Sequence, residues 1–148
     1  MVIEHEELAE LVPHRGKMFI IGMITNASVD DWSIESETKI TRDFMFFDKS
    51  SDGVPNYACF EIIAQTISAL TGLYTREKGL KPNMGFILSV SSLNFGFDFL
   101  KDGQTICARA VRETALNNVY AFQAQLFVDG KESGSGKITV LEVTENKA

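Results

Sequence analysis

Apolar and polar positions divide the chain into short alternating segments on either side of one long, mostly apolar segment. Residues 33–40 alternate between core-facing and charged side chains, which is the period of a strand with one face in solvent. Residues 18–24 (MFIIGMI) predict another strand. Residues 4–11 predict a short opening helix that stops before Pro13, because the residue preceding a proline avoids helical dihedrals.

The long apolar segment, residues 55–78, predicts a buried central helix. It begins with Pro55, a residue favoured in the first helical turn, and ends before Gly79, a favoured helix stop. Apolar side chains occupy most of its circumference, which is typical of a helix buried on nearly all sides. The interruptions are spaced i, i+4, i+7 and i+11 and so form one narrow stripe: Glu61, Gln65, Ser68 and Gly72. We expect this stripe to face something polar or very close.

The rest of the chain predicts about five antiparallel strands: residues 85–90, 93–99, 105–112, 119–128 and 137–143. Asp102-Gly103 and Asp129-Gly130 are dipeptides that tight hairpins prefer, because both tolerate positive φ. Residues 42–54 have no period and predict a shaped loop. The pattern indicates an α+β fold in which a curled antiparallel sheet wraps around one long central helix.

Composition narrows the class of protein. The 148 residues, 45% of them apolar, fit a single domain spanning residues 1–148, and no repeat or linker divides them. A net charge of −6 without any basic run disfavours nucleic acid as a partner. No apolar segment is long enough to span a membrane, and we expect a cytoplasmic protein. The two cysteines, Cys59 and Cys107, lack metal-ligand spacing, so we expect no metal and no disulfide.

Glu61 is the most informative candidate for chemistry. Moving a carboxylate out of water favours its neutral form, and a neutral carboxyl group can donate a proton near pH 7. The macrodipole near the helix N-terminus partly opposes that effect. Pairing with an arginine, or simple access to water at the helix edge, is the structural alternative. Gln65, one turn further on, could position Glu61 or the substrate, or could hydrogen-bond a neighbouring strand.

Three other features could complete a site. The amides of Asn56 and Tyr57, at the start of the helix, could bind a carbonyl oxygen that gains negative charge, although every helix start has such amides. His14, in Pro13-His14-Arg15, has the residue type of a general base, with a surface or capping role as the alternative. Cys59 faces away from Glu61, which favours core packing over nucleophilic catalysis.

Two segments of the chain are similar to known sequence motifs: PHRGKMFIIGMI to a PHR-x-P-F-L-L-V-D-R-V opening, and VPNYACFEIIAQTISALTG to a P-G-V-L-I-L-E-A-M-A-Q helix signature. Through these motifs the chain resembles the 3-hydroxyacyl-ACP dehydratases of fatty-acid synthesis. FLKDGQTICARAV and VDGKESGSGKITV resemble a later V-x-P-G-D turn and a closing V-D-G-E-V hairpin. The resemblance implies a hot-dog fold that dimerises, with Glu61 as catalytic acid and Gln65 as the motif glutamine.

One departure from that pattern concerns the catalytic histidine. The family carries it in a G-H-F-P-G loop before the helix, whereas residues 46–53 of this chain (FFDKSSDG) contain none. A dehydratase branch associated with aryl-polyene biosynthesis is more similar, since its members have the PHR opening and lack that loop. His14 is then the one plausible replacement, because the chain has only two histidines.

The resemblance therefore implies dehydration of a 3-hydroxyacyl thioester on acyl carrier protein to the trans-2-enoyl product, without a cofactor. His14 would remove the C2 proton, Glu61 would protonate the departing hydroxyl, and the Asn56 and Tyr57 amides would polarise the thioester carbonyl. Carrier proteins are acidic, so Arg76, Lys78 and Lys81 are candidates for a basic docking surface, with simple solvation as the alternative. A hot-dog thioesterase and a non-catalytic acyl-ACP-binding subunit remain open as other functions.

Overall fold

The computed structural model describes residues 2–12, 19–79 and 86–142. In these ranges a short helix α1 (His5–Leu8) and a long helix α2 (Ala58–Glu77) accompany eight strands. The strands are β1 (Met23–Ser28), β2 (Ser33–Lys39), β3 (Val54–Pro55), β4 (Phe86–Phe95), β5 (Phe99–Leu100), β6 (Thr105–Leu116), β7 (Val119–Val128) and β8 (Lys131–Glu142).

Six of the described strands form one antiparallel sheet in the order β1-β2-β6-β7-β8-β4. The remaining two, β3 and β5, pair only with each other, through Val54 with Leu100 and Pro55 with Phe99. Helix α2 packs against the sheet at β2 and β6. In sequence, α2 therefore lies between strands that belong to one sheet, and it covers one face of that sheet. The pattern of apolar positions predicts this order of strands, helix and strands.

The core lies between α2 and one face of the sheet. Alternate residues of β2, β6, β7 and β8 are buried there, and they meet a helix surface that is also apolar: Ile34, Ile106, Ala108, Phe122, Leu126, Ile138, Ile62, Ile63 and Leu70. The opposite face of β2 carries Glu37 and Lys39, which are exposed. The predicted strand with one wet face, residues 33–40, is confirmed to within one residue.

The predicted start of the central helix was wrong. Pro55 belongs to β3, and α2 begins three residues later at Ala58, with Tyr57 as its N-cap residue. The fixed φ of proline suits an extended strand as well as a first helical turn, so its presence did not decide between the two. The predicted stop is confirmed, because Gly79 has a φ of +65° just after the last turn.

Several strand boundaries also differ from the prediction. Residues 93–99 do not form a separate strand, because β4 is continuous to Phe95 and the chain then turns before β5. Of the strand predicted over residues 18–24, residue 18 lies outside the described ranges, and the strand in this region, β1, runs over Met23–Ser28. The predicted strands over residues 105–112 and 137–143 are parts of the longer β6 and β8, and residue 143 lies outside the described ranges.

The two dipeptides predicted to form hairpin turns behave differently. Asp129 and Gly130 both have positive φ, +51° and +83°, and they connect the paired strands β7 and β8. Asp102-Gly103 does not join a hairpin, since β5 and β6 belong to different sheets. Gly103 instead donates its amide hydrogen to Ile40 O at 2.8 Å, and so ties this turn to the end of β2.

Candidate active site

The polar stripe of α2 contacts residues near the start of the chain. The Gln65 side chain is fully buried, and its Oε1 accepts the backbone N–H of Ile20 at 2.9 Å. Its Nε2 donates to Glu61 Oε1 at 3.0 Å. We call this chain of two hydrogen bonds, from the Ile20 amide through Gln65 to the Glu61 carboxyl group, the Gln65 link. It confirms that the stripe faces something polar.

Gly72, at the other end of the stripe, faces backbone at very short range. A Cβ built on this residue would collide with the carbonyl oxygen of Leu11 and would lie 3.1 Å from its Cα. Only glycine fits there without displacing the segment. The second part of the expectation, close packing against the stripe, is thus confirmed, and residues 11 and 20 both rest on the same side of α2.

Glu61 lies in the first turn of α2, and its side chain is only partly buried, although the helix as a whole was predicted to be buried on nearly all sides. The neighbouring Ile62, Ile63 and Gln65 are each at most 1% exposed. The carboxyl group therefore sits where the buried helix surface meets a more open one. A group in this position can be oriented by the protein and still exchange protons with solvent.

A buried pair of hydroxyl groups connects α2 to the sheet. Ser36 Oγ and Thr66 Oγ1 are 2.7 Å apart, both side chains are fully buried, and Thr66 Oγ1 also donates to Ile62 O. This contact joins the helix to the middle of β2.

The N-terminus of α2 is fastened to the turn between β4 and β5. The Asn56 backbone N–H donates to Asp98 O at 2.9 Å, and its side-chain Nδ2 donates to Phe97 O at 3.0 Å. The Asn56 amide hydrogen is thus already used, which corrects the prediction that it polarises a substrate carbonyl. Among the described residues no acceptor is found for the Tyr57 amide, and the Tyr57 side chain is 69% exposed.

His14, the predicted base, lies outside the described residues, together with the rest of the PHR motif and Lys81. The other histidine, His5, is exposed on α1, where its ring stacks on Phe19 at 4.3 Å. Its Nδ1 lies 3.1 Å from Ile21 O. Sequence reasoning did not find this contact, which holds α1 against the segment that follows the motif.

The loop before α2 is ordered by its own side chains and contains no histidine. Asp48 accepts hydrogen bonds from Ser50 Oγ at 2.7 Å, from the Ser50 amide and from Ser51 Oγ. These hydrogen bonds hold the pKa of the Asp48 carboxyl group below its ordinary value. At the ends of the loop Arg42 pairs with Asp52 at 3.2 Å. The loop is a shaped turn, as predicted, built on serine and aspartate.

The two cysteines differ in burial: Cys59 is part of the core, whereas Cys107 is only partly buried. Burial raises the pKa of the Cys59 thiol to about 12, so that it stays protonated at neutral pH. Burial, with Glu35 and Glu37 nearby, also raises the pKa of Cys107. The prediction that Cys59 packs in the core is confirmed by its complete burial. Within the described ranges no three His, Cys, Asp or Glu side chains are grouped to hold a metal ion.

The arrangement can be compared with solved structures. The dehydratase heterocomplex ApeI:P from Xenorhabdus doucetiae superposes with a TM-score of 0.84 at 15% identity, covering 93% of this chain and 91% of that one. Cj0977, a sigma28-regulated virulence protein from Campylobacter jejuni, gives 0.67 at 15% identity over 97% and 95%. A hypothetical thioesterase with coenzyme A from Streptococcus pneumoniae gives 0.61 at 10% identity over 84% and 87%.

These similarities confirm the α+β hot-dog fold, with its antiparallel sheet and long packed helix. The family model of ApeP-like dehydratases, described as ApeP dehydratase, matches residues 6–148. The chain belongs to this family. No curated protein sequence matches the chain. In the part of the chain that is described, no helix has the length and apolar character needed to cross a membrane.

Proposed function

We propose that this protein is a 3-hydroxyacyl-ACP dehydratase that forms trans-2-enoyl thioesters in aryl-polyene-type or fatty-acid biosynthesis. The observation that supports this most is the Gln65 link, which orients the carboxyl group of Glu61 in a member of a dehydratase family. A carboxyl group that is oriented by a hydrogen bond and partly open to solvent suits general acid catalysis.

In the proposed reaction, His14 takes the C2 proton of the substrate and the electron pair of that C–H bond forms the C2=C3 double bond. Glu61, in its acid form, donates its proton to the 3-hydroxyl group, which leaves as water. Gln65 donates to Oε1 of Glu61 and so helps to orient the carboxyl group for this transfer. The imidazolium and the carboxylate left behind return to their starting forms by proton exchange with water.

The thioester carbonyl gains negative charge as the C2 proton leaves, and a backbone amide can stabilise that charge. Tyr57 is now the candidate donor, since the Asn56 amide is bound to Asp98 O. Asn56 takes a supporting role instead, because its two hydrogen bonds to residues 97 and 98 fix where the first helical turn begins. Gln65 positions Glu61 and does not need to touch the substrate.

His14 is proposed as the base from its place in the chain. It lies between Leu11, which packs on Gly72, and Ile20, whose amide binds Gln65. The segment that carries His14 is therefore attached at both sides to the helix stripe that carries Glu61. The proposal requires the histidine to reach a substrate bound at Glu61, in the same subunit or in a partner.

The proposed partners are acyl carrier protein and a second hot-dog subunit. The basic surface that could receive the acidic carrier is smaller than predicted, because Arg76 pairs with Glu7 at 3.0 Å.

Strand β4 ends the described sheet and has one unpaired edge, where Val90 is 40% exposed. We propose that this edge joins two subunits in a cytoplasmic dimer. Light scattering of wild type and Val90→Lys tests this: a dimer that survives the charged edge contradicts it.

The test of function is the hydration of a crotonyl thioester, which is the reverse reaction. Glu61→Gln and His14→Ala should each abolish turnover while circular dichroism shows an intact fold. The matched controls are Ser68→Ala, on the same stripe as Glu61, and His5→Ala, the only other histidine; both should retain activity. Full activity in His14→Ala would contradict the assignment of His14 as the base, and full activity in Glu61→Gln would contradict the assignment of Glu61 as the acid.

This chain lacks the G-H-F-P-G histidine loop of the fatty-acid dehydratases. That absence supports a second candidate function, a non-catalytic acyl-binding subunit. The similar ApeI:P dehydratase is a heterocomplex. For this candidate the isolated protein would bind the thioester without turnover and gain activity only with a catalytic homologue. Release of free acid from a 3-hydroxyacyl thioester would indicate a thioesterase, for which the hot-dog neighbours support the fold alone.

A further inference from the structure

A half-buried arginine lies among aromatic rings at the opposite end of α2 from Glu61. The Arg112 guanidinium carbon is 4.0 Å from the Trp32 ring centroid and 5.4 Å from that of Tyr120. The Trp32 ring also packs on Tyr74, in the last turns of α2, with centroids 4.7 Å apart. We call Trp32, Tyr74, Arg112 and Tyr120 the Arg112 cluster.

The charge of Arg112 is not compensated by a carboxylate. The other three arginines of the described residues each have one nearby: Arg42 at 3.2 Å, Arg76 at 3.0 Å and Arg109 at 3.6 Å. Arg112 has no such neighbour within the described ranges. Asp31, in the adjacent hairpin loop, accepts a hydrogen bond from Ser28 instead. An uncompensated cation that is partly removed from water, in a chain of net charge −6, favours an anion at this place.

The backbone around Arg112 is arranged to hold the guanidinium in place. Trp32 has a φ of +51°, a conformation that bulky side chains rarely adopt, and its carbonyl accepts the Arg112 amide hydrogen at 2.9 Å. Between Arg112 and Thr114 the register of β6 shifts by a bulge, a feature that re-aims side chains. Aromatic rings fix the plane of the guanidinium and leave its N–H groups able to donate at its edge.

We propose that the Arg112 cluster is a binding site for a small-molecule oxyanion, a phosphate or carboxylate group. The planar fork of an arginine side chain matches two oxygens of such a group, and ordering the side chain in advance reduces the entropy lost on binding. The site is separate from Glu61, since Tyr74 is 13 residues further along α2, about 20 Å at 1.5 Å per residue. It does not depend on the proposed dehydratase activity.

Trp32 makes the proposal directly testable, because it is the only tryptophan in the chain and contacts Arg112. Tryptophan fluorescence is followed while inorganic phosphate, acetate, coenzyme A or pantetheine is added at constant ionic strength. We expect a saturable change with the anions and none with pantetheine, which has no phosphate. A response to coenzyme A at much lower concentration than to inorganic phosphate would indicate that the bound oxyanion is the phosphate of a phosphorylated thioester carrier.

Variants of Arg112 distinguish a binding site from a side chain that only packs. Arg112→Gln should lose the saturable response, and Arg112→Lys should bind about tenfold more weakly or worse, because it keeps the charge without the fork. Arg109→Gln, on the other face of the same strand, is the matched control and should respond as wild type. No saturable change with any anion in wild type, or an equal response in Arg112→Gln, overturns the proposal. If Arg112→Gln does not fold, the Arg112→Lys comparison decides.

Discussion

Replacing Gln65 by methionine tests the Gln65 link, because methionine has a similar shape and can make neither hydrogen bond. The Ile20 amide would lose its acceptor inside the protein, and Glu61 would lose the hydrogen bond from Gln65. A buried donor left without a partner costs about 1–3 kcal/mol, and a lost hydrogen bond about 1 kcal/mol net. We therefore expect Gln65→Met to lower the free energy of unfolding by about 2–4 kcal/mol.

Urea unfolding followed by circular dichroism measures this loss, and an unchanged m-value would show that the native surface is preserved. Thr66→Val is the matched control. It breaks a neighbouring buried hydrogen bond, to Ser36, and should cost about 1–3 kcal/mol without altering Glu61. Hydration of a crotonyl thioester should then fall strongly in Gln65→Met and stay near wild type in Thr66→Val. Equal activities in the two variants, or a Gln65→Met protein as stable as wild type, would refute the reasoning.

Three further predictions concern packing, ionisation and a turn. Gly72→Ala should destabilise by about 1–3 kcal/mol although alanine favours helices, because its Cβ meets the Leu11 carbonyl, whereas Ser68→Ala should be near neutral in thermal unfolding. The pKa of the buried Cys59 thiol is raised from 9.0 to about 12. Between pH 9 and pH 12 this thiol therefore ionises in the unfolded chain but stays protonated in the folded protein. The free energy of unfolding should be independent of this group below pH 9 and fall by about 1.4 kcal/mol per pH unit above it, and the excess slope should vanish in Cys59→Ala. Gly130→Ala should cost about 1–2 kcal/mol in urea unfolding, because its φ is +83°, and Gly130→Asn should cost less.

Periodicity predicted the regular elements of this fold well where one face is wet and the other dry. The strand at residues 119–128 has the predicted bounds, since its alternation begins and ends at turn residues. The predicted boundaries and turns were wrong where the same residue type is common in two kinds of local structure. Pro55 was assigned to a helix and lies in a strand, and Asp102-Gly103 was assigned to a hairpin that the separate sheets exclude. Strand pairing depends on contacts distant in sequence, which the local pattern does not contain.

The candidate site was predictable only in part for the same reason. The stripe of Glu61, Gln65 and Gly72 follows from helical spacing, and its contact with a polar and close neighbour is confirmed. The identity of that neighbour was not predictable, because a backbone amide such as that of Ile20 has no sequence signature. The role given to the Asn56 amide failed because a partner in another loop takes its hydrogen.

The contacts of the polar stripe also bear on the order in which the protein folds. Ile20 and Gln65 are 45 residues apart in sequence, and Leu11 and Gly72 are further apart still. Closing such large loops costs entropy that local hairpins such as β7-β8 do not incur, so we expect the hairpins to form first. During synthesis, the segment around residues 11–20 also has to wait until α2 has been made. Glu61 would then acquire its orienting partner late, after the sheet and helix have come together, and an incompletely folded chain would be inactive before it is visibly disordered.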